Sequence, residues 1–328
     1  MPIKGFDPRW KDFPDYIIGI TKEIWEDRGI AALHQYYAPD IVVRSPASIV
    51  RGNQTVIGAT MATLAEFPDR QLLAEDVIWS EHASGLLSSH RIVSTATHAR
   101  DGVYGKATGK TLTYRIIADC AAKANQIFDE WLIRDQGAIV RQMGWEPKAY
   151  AADLIQREGG PEACVKPFAP DRDMAGGYTG KGNDHAVGQL YADILTRIMG
   201  ADMAAIRTEY DRAAQLELPG GVTGHGWEAA DRFWMGLRAA LPDATFTIHH
   251  VIGREDAMMP PRAALRWSLT GRHSGWGAFG TPTGADIHVM GISHAEFGPF
   301  GGENGSLRRE WVLFDETAIW KQILLKAG

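Results

Sequence analysis

The chain has 328 residues, 45% of them apolar and 23% charged, an ordinary globular balance with length enough for two domains of about 150 residues. Its formal charge of −6 has the wrong sign for a nucleic-acid or anionic-membrane surface, and no stretch reaches the roughly 18 uninterrupted apolar residues of a membrane span. Two cysteines, Cys120 and Cys164, stand in unrelated surroundings, which argues against a disulfide framework or a cysteine zinc site. The opening MPIKGFDPRWKDFPDY carries no apolar leader, so a cytoplasmic protein is expected.

The first periodic segment is a helix marked by Ile17, Ile20 and Ile24. After it the chain begins to repeat itself: residues 51–81 lie over 225–255 at a shift of 174, with Gly52 on Gly226, Pro68-Asp69 on Pro242-Asp243 and Glu81 on Glu255. At a shift of 175, Arg91 meets Arg266, His98 meets His273 and Thr108-Gly109 meets Thr283-Gly284. At 180, Glu130-Trp131 meets Glu310-Trp311, Asp135 meets Asp315 and Gln142 meets Gln322. The offset grows where GPFGGENGS sits, a glycine-rich stretch that reads as a longer hairpin loop in the second copy. Order kept over so many positions indicates tandem duplication.

Residues 157–184 are rich in Gly, Pro and Asp and lack a hydrophobic period, giving domains over 10–150 and 186–328 with a surface linker at 151–185. The second copy opens on a helix with Ile194 and Ile198, extended towards Ile206 and Tyr210. A shorter helix follows, with Ala230, Phe233, Trp234, Leu237 and Leu241, ended by Pro242. The period then drops to two over 264–273, 285–297 and 306–314, which reads as an antiparallel meander. Helices followed by strands give an α+β domain with helices on one face of a curved sheet.

The stretch LTGRHSGWGAFGTPTGADIHVMGISHAEF, followed by SLRREWVLFDETAIWKQI, resembles the SnoaL-like polyketide cyclase (ester cyclase) family of the nuclear-transport-factor-2-like (NTF2-like) superfamily. His273, Gly275, Gly280, Pro282-Thr283-Gly284, Glu310-Trp311, Asp315 and Gln322 carry the resemblance. The first copy matches more loosely through His98, Gly105, Thr108-Gly109, Glu130-Trp131, Asp135 and Gln142, with Arg100 and Ala107 where the second has Gly275 and Pro282. The resemblance implies two tandem cone-shaped domains, each a curved sheet wrapped on helices. It also implies an aspartate general acid/base after the Glu-Trp pair, acting without metal or organic cofactor on a small carbonyl compound. Proteins of this kind pair sheet to sheet, so two copies in one chain would form an internal pseudo-dimer, with further homodimerisation left open.

On strand alternation Trp311, Leu313 and Asp315 share one face, as do Trp131, Ile133 and Asp135. A carboxylate at the rim of an apolar cavity has a raised pKa and makes a better base for a proton next to a carbonyl. The same aspartates are equally placed to cap the helices that follow. His273 and His98 are expected inside, orienting the aspartate or donating to a substrate oxygen. Arg266 and Arg91 would hold an anionic group or pair with an acidic residue on a neighbouring strand. Trp311, Trp131 and Trp227 are the aromatics expected to touch substrate. His288 and His294 could join His273 around a metal, but Thr113 and Asp119 replace them in the first copy, so no metal is expected. FGTPTGAD matches no phosphate-loop spacing and reads as a hairpin. The leading expectation is an enzyme of cyclase, isomerase or hydratase-dehydratase type. The competing one is a non-catalytic small-molecule binding protein whose pocket sequesters its ligand.

Overall fold

The computed structural model describes residues 3–302 and 305–327, which divide into two units: the chain up to Trp145 with 168–180, and 146–167 with the chain from Lys181 onward. In the first unit Asp12 caps α1 (Phe13–Thr21) by accepting from the Asp15 amide at 2.9 Å. Phe13, Tyr16, Ile17 and Ile20 form the buried stripe of this helix. It runs on through a π-helical turn, Lys22–Glu26, which brings Ile24 and Trp25 to the interior beside Ile17 and Ile20. Then come α2 (Leu33–Tyr36), β1 (Tyr37–Ser45), β2 (Ser48–Arg51) and α3 (Asn53–Glu66). The meander β3 (Gln71–His82), β4 (Gly85–Thr97), β5 (Thr111–Lys123) and β6 (Gln126–Arg134) follows, closed by α4 (Gln136–Met143). The sheet order is β2-β1-β6-β5-β4-β3, with β1 parallel to β6 and the other neighbours antiparallel.

In the second unit α5 (Pro147–Arg157) precedes α6 (Ala186–Met199), α7 (Ala204–Glu209), β7 (Tyr210–Leu218), β8 (Val222–His225) and α8 (Gly226–Ala240). It continues with β9 (Thr245–Arg254), β10 (Arg262–Arg272), β11 (Asp286–Gly302), β12 (Gly305–Leu313) and α9 (Glu316–Ala327). The order β8-β7-β12-β11-β10-β9 repeats the first sheet strand for strand, again with one parallel pair, β7 beside β12.

Three features depart from the sequence reading. A β-hairpin stands between the helices of each unit, and Tyr210, read with the helix before it, opens β7. The burial of β1 runs without strict alternation, because its parallel partner β6 lies far along the chain and sets its environment. Residues 151–185, expected as a linker, are divided between the units. Helix α5 packs with α9, where Lys148 lies 5.2 Å over the Trp320 ring and Glu158 pairs with Lys321. Residues 168–180 are held by the first unit: Arg44 pairs with Asp129 and with Asp173, each at 2.6 Å, and Asp129 accepts from the Tyr178 amide at 3.0 Å. The hairpin at GPFGGENGS carries β11 on to Gly302, and its residues 303 and 304 lie outside the described set.

Both sheets carry a bulge before the chemically interesting end of a strand. Ala121 faces Asp129 while Ala122 faces Ile127, so the extra residue, Phe128, brings Ile127 and Glu130 onto one face. The equivalent slip in β12 falls at Arg308, where Glu296 faces Arg309 and Phe297 faces Leu307. No helix among the described residues is long and apolar enough to cross a membrane.

Candidate functional site

The first unit contains a cavity of about 80 Å³, several times the roughly 10–15 Å³ that one water requires. Strand alternation builds its wall: Glu130, Leu132 and Arg134 from β6, Ile116, Ala118 and Cys120 from β5, His90 and Ile92 from β4. Ile17, Ile20, Thr21 and Ile24 cover it from the helical side, with Trp25, Tyr37, Arg70, Leu72 and Ile127 completing the lining. The lining is therefore mixed, aliphatic side chains alternating with converging polar groups that can orient a small molecule.

Those polar groups divide into two sets. Glu130 is 6% exposed, and burial, reinforced by the Asp129 charge, pushes its pKa up to about 7 against the hydrogen bond donated by Tyr37. Burial also lifts Tyr37 and Cys120 well above their ordinary values, so both remain protonated at neutral pH. His90 is buried, with Nδ1 3.2 Å from Ser88 Oγ, and desolvation lowers its pKa to about 4, leaving a neutral ring. The second set is cationic. Arg70 is 3% exposed, donates through Nε to Tyr114 Oη at 3.1 Å and Ser94 Oγ at 3.3 Å, and lies 4.7 Å over the Trp25 ring. Its Nη1 has no hydrogen-bond partner among the described residues. Burial alone would raise the Tyr114 phenol, but the charges of Arg70 and Arg134 outweigh it and hold that pKa below the ordinary value.

The second unit has the same frame with the interior filled. Trp267, with Nε1 on Ser293 Oγ at 2.8 Å, and Trp234, with Nε1 on Tyr210 Oη at 3.2 Å, are both wholly buried in its core with Phe314 and Leu265. Glu310 and Tyr210 repeat Glu130 and Tyr37; Tyr191 and Tyr210 donate to the Glu310 carboxylate at 2.8 and 2.9 Å, and burial again pushes its pKa up to about 7. The remaining polar positions are apolar here. Along the repeat, Arg70, His90, Tyr114, Cys120 and Arg134 correspond to Ala244, Leu265, Val289, Ala295 and Phe314.

None of the residues expected from the sequence to be catalytic or substrate-binding lines the first cavity. Trp131, Ile133 and Asp135 share the face of β6 opposite Glu130, Leu132 and Arg134. In the second unit Val312 and Phe314 belong to the core packed against the helices, whereas Trp311 and Leu313, although buried, do not. From Glu310 to Leu313 both faces of β12 are thus buried, and there a contrast of polar and apolar sides, the usual guide to which face is interior, is missing. Asp135 is the N-cap of α4, accepting from the Ala138 amide at 2.9 Å. Asp315 caps α9, accepting from the Thr317 amide at 2.8 Å and its hydroxyl at 2.7 Å.

His98 and His273 anchor loops instead of facing the cavity. His98 Nδ1 is 3.1 Å from Thr108 Oγ1 and its Nε2 is 3.1 Å from Glu66 Oε1, while His273 Nδ1 is 3.1 Å from Thr283 Oγ1. Arg91 pairs with Glu75 at 3.0 Å on the sheet face away from His90 and Ile92, and Arg266 lies between the core residues Leu265 and Trp267, hence on the other face. Trp227 donates to the Tyr210 carbonyl at 2.8 Å. Among the described residues no three His, Cys, Asp or Glu side chains are grouped as a metal would require. Sequence reasoning did not assign Arg70, His90, Glu130 or Arg134 to the site. For Arg70, His90 and Arg134 a signal lay in the contrast with Ala244, Leu265 and Phe314 of the second copy, whereas Glu130, repeated as Glu310, gave none.

A six-stranded mixed sheet packed on helices is the NTF2-like arrangement, and each unit has one, the first around a cavity and the second around Trp267 and Trp234. Residues 190–301, all within the second unit, match the family model of the SnoaL-like domain. Among solved structures the chain is similar to wild-type IdmH of Streptomyces antibioticus, provisionally named a polyketide cyclase: 22% identity, 40% of this chain, 98% of that one, TM-score 0.36. It is also similar to a SnoaL-like polyketide cyclase of Agrobacterium tumefaciens, with 17% identity over 40% of this chain and 97% of that one at a TM-score of 0.33. TsrD of Streptomyces laurentii matches at 14% identity over 40% of this chain and 93% of that one, TM-score 0.34. No curated protein matches the sequence.

Proposed function

We propose that the first unit is a cofactor-independent catalyst of the cyclase or isomerase type, moving a proton on a small carbonyl compound held in its cavity. Glu130 supports this reading most directly: it is a buried carboxyl on the cavity wall whose pKa is pushed up to about 7. A group that titrates near the working pH can both take and return a proton. The ionised carboxylate would remove the proton next to the carbonyl, and Tyr37, hydrogen-bonded to it, would steady the charge as it changes. The apolar lining from α1 excludes water from the exchange. The second unit keeps the Glu-Tyr pair but fills the space, so it serves as a packed partner copy and not as a second site.

Deuterium exchange at the α-carbon of small ketones, cyclohexanone first, followed by proton NMR in D₂O, tests the reading. The chain should accelerate exchange, Glu130→Gln should remove the acceleration by about 100-fold or more, and Asp135→Asn should leave it nearly unchanged. Loss of exchange in Asp135→Asn with Glu130→Gln active would return the chemistry to the helix-capping aspartate. Ligand binding without exchange would favour a binding protein.

A further inference from the structure

We propose that Arg70 is the anchor for a carboxylate on the substrate, so that the cavity takes a small carboxylic acid with an apolar body. The inference rests on the reading of this cavity as the active site. It starts from a guanidinium that is 3% exposed, lines the cavity and leaves Nη1 without a hydrogen-bond partner among the described residues. An arginine does not escape such a cost by giving up its proton, and an unmatched buried donor on a cation is expensive. Its other contacts position it and do not neutralise it: Trp25 supports one face of the plane, and Tyr114 and Ser94 take Nε. No carboxylate pairs with Arg70 among the described ion pairs, and the neighbouring charge, Arg134, is of the same sign. The buried ion pairs elsewhere in this unit show the contrast, since Arg44 is closed by Asp129 and Asp173.

The fork of an arginine matches a carboxylate bidentately, and a water-poor apolar surround strengthens that bond. Across the repeat the cationic apparatus disappears as a set: Ala244 for Arg70, Val289 for Tyr114 and Phe314 for Arg134, in the unit where Trp267 occupies the interior. The charge is thus kept in the unit with the cavity and absent in the one where Trp267 stands in the interior. Glu130 lines the same cavity, four residues along β6 from Arg134, so a ligand held by its carboxylate at Arg70 would share the space with that carboxyl.

The test uses 4-fluorobenzoate and its neutral near-isostere 4-fluorobenzamide, titrated against the full chain and read by ¹⁹F NMR. Wild type should bind the acid at least about tenfold more tightly than the amide, as one charge-assisted bidentate pair warrants. Arg70→Gln should erase that preference while leaving amide binding unchanged, and Arg70→Lys, a charge without the fork, should keep part of it. Glu130→Gln should lose ketone exchange and keep the acid preference, which separates failure of the anchor from failure of the proton-transfer reading. Equal binding of acid and amide, or binding of neither, would overturn the proposal. So would a preference that survives both Arg70 variants with circular dichroism unchanged. A loss of ketone exchange in Arg70→Gln without any acid preference in wild type would overturn it too, and would assign Arg70 to the enolate oxygen.

Discussion

Ile92 and Trp267 occupy the same register in the two sheets, and their cross-strand partners differ in the opposite sense. Ile92 faces Ile116 on β5, whereas Trp267 faces Gly291 on β11. A Cβ placed on Gly291 would lie 2.2 Å from the Trp267 ring, so the glycine exists to let the indole lie across the strand. One medium pair leaves a cavity, and one large-small pair fills it. Trp267→Ala should therefore cost about 3–5 kcal/mol, and Gly291→Ala about 1–3 kcal/mol by overpacking, both read by denaturant unfolding. A cost below about 1 kcal/mol for Trp267→Ala would show that the interior is not held by the indole.

Glu310 should make the second unit less stable as the pH rises. Its folded pKa, about 7, lies above the ordinary 4.5, so the folded state binds more protons between those values. Stability is highest below pH 4.5, falls as pH rises through 7 and is flat above it, a change on the order of 3 kcal/mol. The groups facing it, Tyr191, Tyr210 and Trp234, carry no charge in this range. In the first unit Glu130 contributes the same slope, but His90, lowered to about 4, contributes the opposite one between about 4 and 6.5. Glu310→Gln should thus gain on wild type as pH rises from 4.5 to 8, in urea unfolding at fixed ionic strength. A constant gap across that range would remove Glu310 as the titrating group.

The capping aspartates should behave as structure. Asp315→Ala should lower stability by about 1 kcal/mol through loss of its bonds to Thr317 and Ala318, with the ketone exchange rate unchanged. Asparagine at the same position should recover most of the loss, because it too can cap a helix.

Glu66 should control the loop that follows β4. Its carboxylate accepts from the Val103 and Tyr104 amides at 3.0 and 2.9 Å and meets His98, the last two contacts buried and the first part-buried. Glu66→Ala would strand these donors, costing about 1–3 kcal/mol for the buried set, and amide hydrogen exchange at Val103 and Tyr104 should rise first. The second unit has Ala240 at this position and Phe279 in place of Tyr104, so Ala240→Ser should be mild by comparison.

The frame of the fold was legible because it rests on local patterns and on repetition: Ile17, Ile20 and Ile24 mark a helix, and the matched Gly, Pro and Asp positions mark a second copy. The site was not legible by the same means. Choosing between the Glu130 and Trp131 faces of β6 needs a polar-apolar contrast, and the strand is buried on both sides over much of its length. Arg70 lies just before β3, outside any alternating run, and only the sheet's closure brings it beside Tyr114 on β5. The filled state of the second cone was written in Trp267 and Gly291, but their meaning depends on a cross-strand pairing 24 positions apart.

Trp267 can also be described as a ligand tethered to its own receptor. An indole fixed through its Cβ loses no translational freedom on docking, so the second cone is saturated at every concentration of free solute. On the proposed reading the first cone fills by mass action, so its stability should follow ligand concentration as the second's should not. The proposed ligand should then protect amides of the first unit from hydrogen exchange and leave those around Trp267 as they are, so the second unit serves as an internal standard.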